Sequence, residues 1–252
     1  ILPLENIYVI LFIKITIVLN KKIAIFFTYD YSIDTLKNSG LFHREMKIYD
    51  ELYKNYGLEF IFITYDENIN ISEKDYPQFK FISVYKYISR SHNKFIRILK
   101  SFLIPFVLTK DILNVDVLHQ HQLLGSWVPI LIKFKIKKPL LIRTGYDAYL
   151  FSLNNKDPLF KSLFYKYLTK ISLHFSNLYT VTSICDYSFL TSHFNTSKVQ
   201  VRPNWVESSK KLTSRKKSNK ILMVGRLEAQ KNYPMAIEFL KNINSDYELD
   251  VF

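Results

Sequence analysis

The sequence predicts an α/β fold built on parallel sheets, and three observations carry that expectation. Residues 21–28 (KKIAIFFT) and 60–64 (FIFIT) are apolar runs of strand length, and between them Phe42, Met46, Tyr49 and Leu52 recur at helical spacing. Strand, helix, strand is the repeating unit of a parallel sheet. The glycines are scarce, five in 252 residues, and Gly125, Gly145 and Gly225 each fall just beyond a strand-like run. Finally, residues 220–241 (KILMVGRLEAQKNYPMAIEFLK) read as a buried strand, a glycine turn and a helix.

The remaining elements follow in order. Residues 7–19 are apolar apart from Lys14 and Thr16, too short and too interrupted for a spanning helix, and the fold is expected to begin at Lys21. Residues 29–39 read as a polar loop. Gly40 precedes the first helix, which ends before Gly57. Residues 79–85 form the next strand. Residues 92–110 predict a helix with Phe95, Leu99, Phe102 and Leu103 on its apolar side and Lys94, Arg97 and Lys100 beside it, broken or kinked at Pro105. Such a basic amphipathic helix either lies on an anionic bilayer or, as is more usual, packs on the sheet with its cations in water. Strands are predicted at 115–119, 139–143, 178–181 and 198–201. Helices are predicted from Trp127 to Phe134, over 160–175 with Leu163, Phe164, Tyr167, Leu168 and Ile171 on one face, and from the cap Ser183 to Phe194.

Residues 208–219 change character: five cations, serines and threonines, and almost nothing apolar mark a solvated linker. The expected organisation is an uncertain extension over 1–20, a first domain over 21–207, the linker, and the start of a second domain over 220–252. Thirty-three residues cannot bury a core, so the chain is expected to be cut off inside that second domain.

Composition narrows the partners. The chain is 48% hydrophobic, ample for a core, and its single cysteine, Cys185, excludes an internal disulfide. The net charge of +13 favours anionic partners: phosphates, anionic lipid headgroups or nucleic acid. Without zinc-ligand spacing, an RNA-binding signature or a phosphate-binding GxxxxGK[ST] loop, nucleic acid is not expected.

Chemistry-bearing residues gather just past strand ends, where open α/β sheets bind ligands. Arg226 and Lys231 lie between a strand end and a helix start, with Gly225 at the turn and Asn232 as a helix cap. A guanidinium and an ammonium there suit a diphosphate, although a surface loop with two solvated cations reads the same way. His119 and His121, in VDVLHQHQ, stand at i and i+2. A polar contact to a sugar or phosphate is favoured over metal, since no nearby ligand cluster completes a metal site, and a plain structural role is equally open. In LLIRTGYDAY, Asp147 follows Gly145 and either binds hydroxyls, acts as a base or caps the loop.

Taken together these stretches resemble the family 4 glycosyltransferases, enzymes of two facing Rossmann-like domains (the GT-B fold). VGRLEAQKNYPMAIE resembles the donor-site pattern of strand, Gly-Arg, then Lys-Asn. Ser39-Gly40 with residues 41–52 resembles the glycine loop and first helix. VDVLHQHQ resembles the family's DVIHxH strand, VTSICDYSFL its VxxxS segment, and VRPNWVE its IxNGVD segment with Trp205 where glycine is usual. Two features depart from the pattern. Thr144-Gly145 stands where the family often has a histidine, and the family's Glu-x7-Glu motif has no counterpart in the sequence.

The resemblance implies a GT-B-like α/β fold and a retaining transfer of a sugar from a nucleotide-sugar donor to an acceptor hydroxyl. It assigns Gly225, Arg226, Lys231 and Asn232 to the donor diphosphate, and Gly40 to the loop between donor and acceptor. His119, His121, Gly145 and Asp147 become sugar or acceptor contacts. The donor is a substrate, and neither cofactor nor metal is expected. The acceptor is expected to be a glycan or a lipid-linked glycan in surface polysaccharide or glycolipid synthesis, and the basic surface and the 92–110 helix motivate a cytoplasmic location with peripheral contact to an anionic membrane. The alternatives are a catalytically incomplete fragment that only binds an anionic ligand, and a nucleotide-sugar epimerase on the same architecture.

Overall fold

The computed structural model describes residues 20–69, 76–205, 219–225, 231–243 and 247–251. The chain divides after Val206 into two units. Residues 1–19, most of 208–219, and Arg226 lie outside the described residues, so the expectations placed on them have no structural counterpart.

The first unit is a seven-stranded sheet in the order β3-β2-β1-β4-β5-β6-β7, parallel throughout. Its strands are β1 (Lys22–Phe26), β2 (Glu59–Thr64), β3 (Phe79–Ser83), β4 (Val117–Gln120), β5 (Leu140–Thr144), β6 (Leu178–Val181) and β7 (Val199–Val201). The near-continuous apolar runs of β1 and β2 are what strands covered on both faces require. Their alternate side chains enter two separate cores. Ala24, Phe26, Ile61, Ile63 and Leu118 pack on one face under α4 (Ile104–Leu108), α5 (Trp127–Ile136), α7 (Leu159–Phe175) and α8 (Ile184–Phe194). Ile23, Ile25, Phe60, Phe62 and Val117 pack on the other under α1 (Ile33–Asn38) and α2 (Phe42–Tyr56).

Several elements differ from the sequence expectation. Residues 29–39 are not all loop: they hold α1, capped by Ser32 and anchored by Asp66, both of whose carboxylate oxygens accept from the Ile33 N–H, at 3.0 and 3.1 Å. The helix expected over 92–110 breaks at Phe102 and Leu103 into α3 (Lys94–Ser101) and α4. Pro105 lies in the first turn of α4, where its missing N–H costs no bond. A further helix, α6 (Ala148–Asn154), follows β5 and was not expected. Gly57 ends α2 in the left-handed region, at φ 64°, as a helix-stopping glycine should.

The largest correction concerns which side of α3 and α7 is buried. On α7 the expected apolar face turns outward, apart from Leu168: Leu163, Phe164, Tyr167 and Ile171 are exposed. Its inner side instead carries Ser162, Thr169 and Ser172, and two of these are paired, Ser162 Oγ with Ser152 at 2.7 Å and Ser172 Oγ with Ser126 at 2.8 Å. On α3, Phe95 and Leu99 likewise face outward, as does Leu103 just after it, so the helix does not bury its apolar side on the sheet.

The second unit is a parallel pair, β8 (Lys220–Met223) and β9 (Glu248–Val251), joined through α9 (Tyr233–Asn242). Lys220 bridges to Glu248 at 3.1 Å and Asp250 at 3.5 Å across the pair.

Candidate functional site

In the first unit the carboxyl ends of β4, β5 and β6 are stitched into one rim. The His121 N–H donates to the Phe26 carbonyl at 2.9 Å, holding the chain beyond β4 against β1. Gln122 accepts from the Gly145 N–H at 3.0 Å, and Thr182 Oγ1 donates to the Gly145 carbonyl at 2.6 Å. Gly145 is therefore a hub between three strand ends, and a Cβ there would press on the Gln122 amide at 3.2 Å. Gly125 closes the same rim at φ 100°, its α-carbon packed against the Tyr29 backbone.

His119 and His121 sit on one side of β4, because strand residues two apart share a face. They line a cavity over that face with Arg44 and Glu45 of α2, Arg143 of β5, and Arg202 and Trp205 beyond β7. His121 Nε2 lies 3.4 Å from Glu45 Oε2. Burial pushes the Glu45 carboxyl up, but the hydrogen bond and charge of His121, then those of Arg44, outweigh it and hold the group at about 2. His119 goes the other way. Burial, then the charges of His121 and Arg143, lower it to about 3, and its Nε2 is sealed from solvent without a hydrogen-bond partner. The result is a neutral imidazole at His119 beside a wall of arginines, with one carboxylate, Glu45, set against His121. Arg143 is held by Asn204 at 2.6 Å, and Arg202 by Gln200 at 2.9 Å.

Asp147 is elsewhere in role. It is 1% exposed and caps α6, Oδ1 accepting from the Leu150 N–H at 2.7 Å. Burial raises its carboxyl to about 6, with a further upward push from Asp186. Of the three readings open for this residue, the structure shows the cap. Gly40 stands between α1 and α2 at φ 69°, with open space where a side chain would lie.

In the second unit Gly225 follows β8. The Tyr233 hydroxyl donates to its carbonyl at 2.5 Å, and the Lys231 side chain folds across it, so that a Cβ at 225 would meet Lys231 Cε at 3.2 Å. Asn232 occupies the N-cap position of α9 but in a left-handed conformation, φ 49° and ψ 48°, and makes no capping hydrogen bond. The expected capping role is thereby corrected: the side chain contacts the Met235 sulfur at 3.3 Å instead. Among the described residues no cluster of three His, Cys, Asp or Glu side chains is placed to hold a metal ion.

Solved structures of similar architecture give this arrangement its context. HepE from Anabaena in complex with UDP superposes with a TM-score of 0.55 at 11% identity, over 91% of this chain and 60% of that one. The apo form of the lipopolysaccharide outer core galactosyltransferase WaaB gives 0.54 at 14% identity, over 91% and 60%. Sucrose-phosphate synthase from Thermosynechococcus elongatus gives 0.54 at 12% identity, over 73% and 48%. The fold is GT-B-like. No family model matches the sequence, and no curated protein does. The chain spans 60% or less of the length of these GT-B neighbours.

Within the GT-B-like fold, the sequence-predicted residues fall into two groups. His119, His121 and Gly145 come together on the first sheet. Gly225 and Lys231 come together beyond β8. Sequence reasoning missed Glu45, Arg44, Gln122 and Arg202. The only local signal for Glu45 was a carboxylate set beside Met46 in the first turns of an amphipathic helix.

Proposed function

We propose that the protein takes part in glycosyl transfer from a nucleotide-sugar donor to the hydroxyl of a glycan or lipid-linked glycan acceptor, on the cytoplasmic side of the membrane. The observation that carries the reading is the turn after β8, where the Lys231 ammonium arm lies over Gly225 at the carboxyl end of a parallel strand. A lysine arm laid across a bare backbone turn, at the edge where α/β sheets take ligands, suits a diphosphate. HepE has been crystallised with UDP and with UDP-glucose, which supports the same ligand class for this GT-B-like chain.

In this reading the acceptor oxygen bonds to the anomeric carbon, and the bond from that carbon to the diphosphate oxygen breaks. The electron pair and the negative charge pass to the nucleoside diphosphate, and the acceptor proton goes to a diphosphate oxygen. Lys231, with Arg226 next to Gly225 in sequence, offsets that growing charge. The configuration at the anomeric carbon is retained. On the first unit, His121 and the Gly145 turn are the residues this reading gives to the acceptor.

Calorimetry of the chain with UDP-glucose and GDP-mannose tests the donor site. Replacing Lys231 by Ala is expected to weaken binding at least about tenfold, as loss of a charged hydrogen bond does. Equal affinity in the variant would overturn the assignment. Product analysis with and without a glycan acceptor separates transfer from epimerisation: an epimerised donor sugar formed without acceptor would overturn transfer.

A further inference from the structure

The helical layer formed by α3, α4, α5 and α7 exposes large apolar side chains among cations and carries no acid on its helices. Phe95 is 80% exposed, Phe106 64% and Phe160 76%, and Leu99, Phe134, Phe164 and Tyr167 are exposed with them. The helices are joined into one surface. Trp127 Nε1 of α5 donates to Ser101 Oγ of α3 at 2.9 Å, the Lys135 ammonium sits 3.8 Å from the centre of the Phe106 ring, and Ser126, just before α5, pairs with Ser172 of α7. On α7, Phe160, Phe164, Tyr167 and Ile171 run as one outward stripe at helical spacing. A soluble helix normally turns such a stripe inward. This one turns it out and buries serines, and an exposed apolar stripe of this kind, flanked by the exposed rings of α3 to α5, marks an interaction site.

Charge selects the partner. None of the four helices contains Asp or Glu, while they carry Lys94, Arg97, Lys100, Lys133, Lys135, Lys161, Lys166 and Lys170. The acids at the margin are engaged within the unit: Asp30 with Arg97 at 2.7 Å, Asp157 with Lys161 at 2.9 Å, and Asp111 with the Tyr87 hydroxyl. Two copies meeting through this surface would bring like charges together. Anionic lipid headgroups would neutralise them while the rings enter the acyl boundary. Among the described residues no helix is long and apolar enough to cross a membrane.

We propose that the α3–α4–α5–α7 surface docks on an anionic lipid bilayer. The reading stands independently of glycosyl transfer, because it uses neither the β4 cavity nor the β8 turn. Co-sedimentation of the whole chain with vesicles tests it, comparing phosphatidylcholine alone with phosphatidylcholine mixed with phosphatidylglycerol. Binding to the mixed vesicles only is expected, weakening as salt rises. The triple variant K94E/K166E/K170E should lose about a hundredfold in affinity, at about fivefold or more per cation. F95S/L99S/F164S should lose binding while circular dichroism stays unchanged, because these side chains make little of the core. Equal binding to both vesicle types, or no binding to either, overturns the proposal. So does a concentration-dependent dimer that the same variants dissociate in the absence of vesicle binding.

Discussion

Glu45 of α2 and His121 beyond β4 meet at 3.4 Å, Oε2 to Nε2, in the lining of the first unit's cavity. The pair ties a helix start to a strand end, and it sets an acid limit on stability. The Glu45 carboxyl is held at about 2 in the folded chain, below its ordinary value. A depressed carboxylate contributes stability that is complete above the unfolded value and is lost as pH falls through the folded one. Replacing Glu45 by Gln should cost on the order of 2 kcal/mol near neutral pH. It should also flatten the loss of stability on acidification below the ordinary carboxylate range. Urea denaturation across that range measures both effects.

His119 should impose a second acid limit by the opposite kind of group. Its imidazole is held neutral, lowered to about 3 by burial and by His121 and Arg143. Between that value and the unfolded histidine value the unfolded chain binds the extra proton, so stability falls as pH drops through the window. His119→Leu removes the group and leaves no polar atom unpaired. The slope of stability against pH in that window should decrease by up to about 1.4 kcal/mol per pH unit. An unchanged slope would mean that the folded chain protonates the residue freely.

The strands were legible because parallel strands covered on both faces must be apolar from end to end, as Ile61, Phe62 and Ile63 are. The α1 segment has a local cap, Ser32, which accepts from the Thr35 N–H at 3.0 Å and was overlooked, whereas its anchorage to Asp66, far along the chain, has no local pattern. The burial of α7 was misread for a related reason. Hydrophobic spacing locates a helix, but Ser126 and Ser152 supply partners that let Ser172 and Ser162 go inside, and the apolar stripe is left outside. At the site, alternation along β4 put His119 and His121 together on one face. The neutral state of His119 depends on its burial and on His121 and Arg143, which only the folded sheet brings beside it.

Asp147 predicts a mutation that separates capping from charge. Burial raises its carboxyl to about 6, so its ionisation opposes folding, and stability is lost as pH rises through that value. Asp147→Asn keeps the oxygen that accepts from the Leu150 N–H and removes the charge. The variant should match the parent near about pH 4 and exceed it by about 1–3 kcal/mol near about pH 8. Asp147→Ala should instead lose about 1 kcal/mol of cap at acid pH, where the parent carboxyl is neutral. Thermal denaturation of both variants at the two pH values distinguishes a helix cap from a general base, since a base would show its effect in turnover rather than in stability.

Gly125 is the point where the rim of the first sheet tolerates least. Its φ of 100° lies where L side chains are strained, and a Cβ would stand 3.0 Å from the Tyr29 backbone nitrogen and 3.2 Å from Tyr29 Cβ. That nitrogen is fixed, because it donates to the Leu124 carbonyl at 2.9 Å. The neighbour therefore cannot withdraw without giving up a buried hydrogen bond. Strain and clash add, and Gly125→Ala should destabilise the chain by about 2–4 kcal/mol. The atoms nearest a Cβ at Gly225 belong to the flexible Lys231 arm, so Gly225→Ala should cost well under about 1 kcal/mol of stability. Paired urea titrations of the two variants decide the matter. Equal losses would mean that the close approach of Gly125 to Tyr29 does not hold the β1 and β4 ends together.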